Sequence, residues 1–402
     1  MRGSQPLVLV INSGSSSLKF ALLPAGGGDA LFSGIAEALA GTGAPQLTFK
    51  KDGIKQTETL AGGSHAEALG AILAQIRSNG WLDHVAAVGH RVVHGGERFT
   101  ESVRITPIVI QQIEAVSALA PLHNAANLIG IRACMQVLPS VPQVAVFDTA
   151  FHQSMPPDAY TYAIPQRFYR DHGVRRYGFH GTSFRYVSAR AVNLLELDPL
   201  DHGLVIAHLG NGASASAILN GKCVDTTMGL TPLEGLVMGT RCGDLDAGAA
   251  AQIGRIENLS LAGVEAMLNR ESGLLGISGL SADCRTLEAA AEEGHAGATL
   301  ALAVFVHRLA RYIGALATSL KRFDAIVFTG GIGENSSRIR AMTLRHLAIF
   351  GCAVDEAANQ RMCGGVYGRV DAGNGVQAWV IPTDEEGLIA RDAAHLAGLL
   401  DR

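Results

Sequence analysis

Five apolar residues, Leu7-Val8-Leu9-Val10-Ile11, lead into the polar turn Asn12-Ser13-Gly14-Ser15-Ser16-Ser17 and then the alternating Leu18-Lys19-Phe20-Ala21-Leu22. An apolar run, a turn of small residues and an alternating run predict strand, tight turn, strand. The same pattern returns at an offset of 196 residues, where Leu204-Val205-Ile206-Ala207 precedes His208-Leu209-Gly210-Asn211-Gly212 and Ser214 to Leu219. Gly14 falls on Gly210 and Leu22 on Ile218. Two such units half a chain apart predict a duplicated domain.

Helical and strand periodicities alternate between and after these hairpins. Apolar spacing predicts helices over 65–79, 107–119, 123–137, 261–269, 282–293, 298–320 and 336–350. Short apolar runs predict strands over 85–93, 144–147, 324–329 and 378–381. Mixed elements throughout indicate an α/β protein of layered sheets and helices. A length of 402 residues fits two domains, and the boundary is placed near residue 150.

Composition narrows the picture. Hydrophobic residues are 48% and charged residues 17%, enough for a sizeable core and incompatible with disorder. The net charge of −4, without long single-sign runs, argues against a nucleic-acid or membrane surface. Six scattered cysteines with no CxxC pair read as reduced thiols in a cytoplasmic protein. The apolar stretch 298–320 carries His307, Arg308 and Arg311 at helical spacing, as an amphipathic or buried helix does. The 48 glycines, about 12% against a usual 7%, indicate either a turn-rich β protein or backbone that approaches something closely at several places.

Two familiar nucleotide signatures fail. Gly221-Lys222 has no glycine five residues before it, so there is no Walker loop. Gly210-Asn211-Gly212-Ala213-Ser214-Ala215 fits a dinucleotide fingerprint by spelling, but it opens a strand and not a helix. The hairpin turns are better phosphate candidates, because small residues expose several N–H groups. Phe328-Thr329-Gly330-Gly331-Ile332-Gly333-Glu334-Asn335-Ser336 reads as strand, glycine-rich loop and helix start, with Asn335 or Ser336 as cap. His90 and His94 lie on a predicted strand, roughly 13 Å apart, and cannot share one ion. Arg91 between them is a charge in an apolar strand and asks for an anionic partner. His123 follows a Pro-led helix start, and Asp148 follows a strand at a carboxyl edge where α/β ligands gather. His152 and His180 sit in loops, and Met238 to Asp246 sets Arg241 in a glycine-rich segment beside Asp244 and Asp246. Thr383-Asp384-Glu385-Glu386 offers carboxylates to a cation.

Taken together, these segments resemble the acetate kinase family, the acetokinases that phosphorylate short-chain carboxylates such as acetate and propionate. The resemblance rests on Val10 to Phe20, His90 to Gly96, Phe147 to His152, Tyr177 to Ser183 and His208 to Gly212. It continues through Met228 to Asp246, Gly330 to Asn335 and Thr383 to Glu386, and spans residue 7 to about 395. It implies two duplicated domains of the actin, hexokinase and Hsp70 superfold with a nucleotide cleft between them. Residues 1–150, rejoined by a last helix at about 387–402, would bind acid and phosphate. Residues 151–386 would bind nucleotide and carry a homodimer contact.

The implied reaction is reversible, magnesium-dependent transfer of the γ-phosphoryl group of ATP to acetate, giving acetyl phosphate and ADP. Propionate is the alternative acid, and manganese a substitute metal. By resemblance Asp148, His180 and Arg241 are catalytic, and Arg91 holds the substrate carboxylate. Val93, Leu122, Phe179 and Pro232 wall the acyl methyl group, with Lys19 and His123 in the same cleft. His208, Leu209, Gly210, Asn211 and Gly212 match nucleotide positions, as do Asp283, Cys284, Arg285, Gly331, Ile332, Gly333, Glu334 and Asn335. Asn12 and Glu385 match the magnesium-linked positions. Asp384, where the family often has Asn, and Gly387, where a larger apolar residue is usual, depart from the pattern. The chemistry agrees: a carboxylic acid of pKa about 4–5 is ionised at pH 7 and needs no strong base, so positioning and positive charge should dominate. Against a relative that phosphorylates an alcohol stand the two arginines and the apolar wall, since a sugar site would need more paired amides and carboxylates; an ATP-gated binding protein is the non-enzymatic reading, and no partner-binding domain is expected after the core.

Overall fold

The computed structural model describes residues 5–14, 16–39, 43–373 and 375–401, apart from the side chains of Pro121 and Leu122. The chain forms two compact units, Met1–Ala150 with Asp384–Arg402, and Phe151–Thr383.

Among the described residues, unit 1 is built on eight strands: β1 (Leu7–Ser13), β2 (Leu18–Pro24), β3 (Phe32–Glu37), β4 (Gln46–Lys51), β5 (Ile54–Thr59), β6 (Val85–Val92), β7 (Val103–Arg104) and β8 (Gln143–Phe147). Their order is β5-β4-β3-β2-β1-β6-β8-β7, with β1, β6 and β8 parallel. Side chains of a strand alternate between its two faces, and β1 shows this directly. Leu7, Leu9 and Ile11 pack with Leu69, Ile72 and Ile76 of the helix His65–Ser78. Val8 and Val10 face the other way and pack with Ile389, Ala390 and Ala393 of the helix Glu385–Leu396. Gly89 on β6 is required by that second contact, because a Cβ there would lie 2.6 Å from Cγ2 of Ile389.

Unit 2 holds six strands among the described residues: β9 (Gly203–Leu209), β10 (Ala213–Leu219), β11 (Lys222–Thr226), β12 (Ala325–Thr329), β13 (Gly368–Arg369) and β14 (Gln377–Val380). Their order, β11-β10-β9-β12-β14-β13, reproduces β3-β2-β1-β6-β8-β7 strand for strand. The pairings also match: two antiparallel, two parallel, one antiparallel. β9 begins and ends 196 residues after β1, the offset at which the sequence pattern repeats. The helix Gly181–Leu194 covers one face of this sheet through Phe184, Val187 and Ala191. The helix Ala296–Ala317 packs against β9 and β10 and buries Leu302, Phe305, Leu309 and Ile313. It is long and apolar enough to cross a membrane, and it serves as a core helix of the unit.

The predicted elements appear within a few residues, with one correction. The glycine-rich stretch after β12 is itself a short helix, Gly330–Asn335, and not a loop. Gly330 makes this possible: its φ of +75° turns the chain out of the strand, and a Cβ would meet the Leu209 backbone at 2.8–3.1 Å.

Candidate active site

In unit 1 the parallel strands β6 and β8 set Arg91 opposite Val146, so Asp148 follows just past the same sheet edge. The Asp148 N–H donates to Val92 O at 3.0 Å, which fixes the residue at the strand end. Arg91 donates from Nε to Asp148 Oδ1 at 2.9 Å and from Nη2 to Oδ2 at 2.6 Å. Asp148 is 1% exposed and Arg91 23%. Burial opposes the Arg91 charge, but Asp148 outweighs it and raises the guanidinium above its ordinary pKa. Nη1 of Arg91 hydrogen-bonds nothing among the described residues, so one edge of the guanidinium remains for a second anion.

Glu385, at the start of the last helix, joins this cluster from the far end of the sequence. Burial pushes its carboxyl up to about 7; Arg91 pulls it down, while Asp148 and Glu386 push it further up. Asn12 stands on β1 directly across from Lys19 on β2. The turn between them is closed by Gly14 N–H donating to Ser17 O at 2.8 Å, and His65 Nε2 donates to Gly14 O at 2.7 Å. Ser15 of that turn lies outside the described residues. His123 is exposed in the first turn of the helix Pro121–Val137, Val93 is half-buried, and the side chain of Leu122 lies outside the described residues. His90 bonds Gln143 at 2.7 Å and burial pushes it down to about 4, which makes it a neutral core residue. Among the described residues no three His, Cys, Asp or Glu side chains form a metal-binding group.

In unit 2 three separate loops converge. A Cβ on Gly212 would lie 3.0 Å from Arg241 Nη2 and 3.6 Å from the His180 ring. His180 precedes the helix Gly181–Leu194 with φ +59°, a left-handed conformation that costs a side-chain-bearing residue about 1–2 kcal/mol. Its Nδ1 is 2.8 Å from Ser214 Oγ and its ring stacks on His208 at 4.3 Å. His208 in turn bonds Ser183 Oγ at 2.8 Å. The segment before His180 is held by His152, whose Nε2 donates to Phe179 O at 2.8 Å. Burial pushes His152 down to about 4, so it is neutral, and its Nδ1 accepts from the Cys223 thiol at 3.1 Å.

Arg241 differs from Arg91 in one decisive respect. It donates to Pro232 O at 2.6 Å, but no carboxylate pairs with it among the described residues. Burial lowers its pKa with nothing to oppose the shift. A largely buried guanidinium without a counter-ion is poised for an anionic ligand. The carboxylates nearby in sequence are spent on the loop: Glu234 accepts from Arg176 and Tyr162, both at 2.5 Å, and Asp244 accepts from Gly235 N–H at 2.8 Å and from Tyr312.

Three of the nucleotide segments meet around one cavity of about 580 Å³ within this unit. Gly210, Asn211, Asp283, Cys284, Arg285, Gly331, Ile332 and Asn335 line it, a size suited to a nucleoside. His208, Leu209, Gly212, Gly333 and Glu334 do not. Leu209 is buried in β9, and Gly333 O accepts from Arg340 at 2.9 Å. Glu334 Oε1 turns inward to accept from Gly330 N–H at 2.8 Å and Thr383 N–H at 3.1 Å. Glu288 and Ser336 also line the cavity, though neither is among the expected nucleotide positions; Ser336 donates to Glu288 and caps the helix Ser337–His346, one of the two caps the sequence offered. The two departures explain each other: Asp384 caps the last helix by accepting from Gly387 N–H at 2.9 Å, and its carboxylate fills the space where a residue-387 Cβ would stand. Its carboxylate thus serves as the cap of that helix.

Solved structures that superpose closely on this chain include carboxylate kinases by name. A propionate kinase from Francisella tularensis superposes with a TM-score of 0.93 at 42% identity, covering 97% of this chain and 100% of that one. The acetate kinase of Porphyromonas gingivalis gives a TM-score of 0.92 at 43% identity, covering 97% and 99%. The class is thus that of the carboxylate kinases, phosphotransferases that use ATP, on a duplicated fold of the actin, hexokinase and Hsp70 kind. The acetokinase family model matches residues 7–391, and the chain belongs to that family. A curated propionate kinase from Yersinia enterocolitica is 55% identical over 392 residues, 97% of this chain and 96% of that one. A curated acetate kinase from Chromobacterium violaceum is 52% identical over 392 residues, 98% of each.

Proposed function

We propose that the protein reversibly transfers the γ-phosphoryl group of ATP to acetate, giving acetyl phosphate and ADP. The observation that carries this reading is the pair of arginines with opposite circumstances. Arg91 is aimed by a buried carboxylate and keeps one edge free, as a holder of a substrate carboxylate should. Arg241, buried and without a counter-ion, suits the charge that spreads over a transferring phosphoryl group.

An oxygen of the ionised acid attacks the γ-phosphorus, and the bond to the bridging oxygen of ADP breaks. No proton has to be removed from the acid. Asp148, engaged with Arg91 through both oxygens, serves to orient that guanidinium. His180 and Arg241 neutralise the equatorial oxygens, with His180 held by Ser214. Unit 1 takes the acid, with Val93 beside Arg91 and toward the methyl group. The cavity at Gly210, Asp283 and Gly331 takes the nucleoside, Lys19 adds positive charge for phosphate, and His123 adds a ring nitrogen to the same unit.

Asn12 and Glu385 would hold magnesium, or manganese in its place. Their hard oxygen donors fit a cation that keeps waters and phosphate oxygens and needs only one or two protein ligands. The raised pKa of Glu385 fits too, since a cation would relieve its crowding by Asp148 and Glu386. When bound, the metal supplies charge neutralisation on the polyphosphate. A homodimer through unit 2 belongs to the reading, supported by Ile256, Leu259 and Leu261, which stand exposed on and between neighbouring helices. A cytoplasmic location accords with ATP as substrate and with six cysteines that are all free.

Propionate is the second reading, favoured by the 55% identical propionate kinase of Yersinia. One methylene is worth only about 1–3 kcal/mol in an apolar pocket. Trapping of acyl phosphate with hydroxylamine, with acetate, propionate and butyrate compared under ATP and magnesium, tests both. Acetyl hydroxamate formed fastest supports the first reading, and propionyl hydroxamate formed fastest the second. No hydroxamate from any acid overturns both.

A further inference from the structure

The parallel pairing of β1 with β6 ends at Ile11 and His90. Past that point both strands run on into the proposed site, β1 through Asn12 and Ser13, β6 through Arg91 to Val93. The Asn127 carboxamide stands between them. Asn127 lies on the helix Pro121–Val137 and is 2% exposed. Its Oδ1 accepts from Val93 N–H at 3.0 Å, and its Nδ2 donates to Ser13 O at 2.7 Å. One acceptor and one donor directed to two adjacent strands are what a peptide group contributes to a ladder. One turn earlier Asn124, 0% exposed, treats His94 in the same way, accepting from its N–H at 3.1 Å and donating to its O at 2.9 Å. Gly130 completes the arrangement, since a Cβ there would fall 2.2 Å from Ser13 Oγ and push the helix off the strand.

We propose that Asn127 is a positioning residue that locks the Asn12–Ser13 end of β1 to the Arg91–Val93 end of β6, so that the metal-linked and acid-binding residues keep one register. This rests on the functional reading above. Loss of the bridge lets the two strand ends move independently, and a misplacement of about 1 Å at reacting groups costs on the order of 100-fold in rate. The nucleoside cavity has no part in the bridge.

The test compares wild type with Asn127→Ala, Asn127→Asp and Ile131→Val. Ile131 is a buried core residue one turn further along the same helix. In Asn127→Ala, kcat/KM for the acid should fall on the order of 100-fold, with acid KM and the magnesium concentration for half activity both raised. ADP binding measured without magnesium should stay at the wild-type value. Asn127→Asp keeps the acceptor for Val93 N–H but turns a second oxygen on Ser13 O, and should lose at least as much as Asn127→Ala. Ile131→Val should lose some thermal stability and leave acid KM alone. Hydrogen exchange at Val93 gives a readout apart from catalysis: protected in wild type, fast in Asn127→Ala. A wild type that makes no acyl phosphate defeats the functional reading and leaves the exchange comparison to decide the bridge. Equal protection in both proteins, or acid, magnesium and ADP parameters shifting together in step with stability, overturns the positioning role.

Discussion

Replacing Asp148 by Asn separates two roles for this carboxylate. The side chain keeps its shape, but one oxygen becomes an NH2 group facing the Arg91 N–H donors. Of the contacts at 2.9 Å, 3.1 Å and 2.6 Å, those to the replaced oxygen are lost and the remainder lose their charge assistance. Removing one partner of a buried ion pair costs about 3–5 kcal/mol. Arg91 is 23% exposed and Glu385 lies nearby, so about 2–3 kcal/mol of stability is the expected loss. The misdirected guanidinium also costs the acid complex about one charge-assisted bond, ~1.5–3 kcal/mol, or ~10- to 100-fold in acid KM. Urea denaturation reads the first quantity, and initial rates of hydroxylamine trapping against acid concentration read the second. Since the acid is already ionised, kcat should fall less than kcat/KM. A kcat lowered by ~10³ or more, the scale of a lost catalytic group, with acid KM and urea midpoint unchanged, would mark Asp148 as a proton acceptor and refute the orienting role.

Arg241→Ala should lower kcat on the order of 10³ with little change in acid KM, whereas Arg91→Ala should raise acid KM as well; near wild-type kinetics in both would remove the assignment. Gly178 has φ +77°, and a Cβ there would meet Thr226 Cγ2 at 2.6 Å and the His152 ring at 2.8 Å. Gly178→Ala should therefore cost about 2–4 kcal/mol in urea denaturation and lower kcat through His180, two residues on. Between pH 4.5 and about 7 the folded protein keeps a Glu385 proton that the unfolded chain has shed, so this group lowers stability as pH rises through that window. Glu385→Gln should thus stabilise the metal-free protein at pH 8 by about 2 kcal/mol, and not at pH 4.5, while abolishing magnesium-dependent turnover; equal melting shifts at both pH values would contradict the buried carboxyl.

Strong local patterns were legible in the sequence, and contacts between distant side chains and backbone were not. The hairpin and its copy are visible because every residue of β1 and β9 but Asn12 is buried, which leaves a continuous apolar run. The strands β3, β4 and β5 escaped because their faces are mixed; every residue of β5 is exposed or half-exposed, as suits an edge. Arg91, Asp148, His180 and Arg241 stood out as charges or rings set among apolar or glycine-rich neighbours. The anchoring bonds of His65, Asn127 and Glu334 did not, although each fixes one of the proposed ligand-binding segments. Their partners are backbone groups 51, 114 and 49 residues away, and no local spacing encodes such a bond. Glycine was informative where two segments touch: Gly212, Gly330 and Gly130 each mark an approach that a methyl group would block.

The helix Glu385–Leu396 gives the two units different histories during synthesis. Unit 2 is one continuous stretch, Phe151–Thr383, whereas unit 1 needs Asp384–Arg402 to close. While the ribosome is still making residue 380, Val8, Val10, Ala87 and Val146 have no Ile389, Ala390 or Ala393 to pack against. One face of the unit 1 sheet stays open until Asp384–Arg402 emerges, so unit 2, made later than that sheet, can finish folding before it, against the usual N-to-C order. The sheet would spend that interval as an unsatisfied apolar surface, a natural client for a holding chaperone. Because Glu385 arrives on the same helix, the carboxylate proposed to hold a cation takes its place only at the step that seals the core of unit 1.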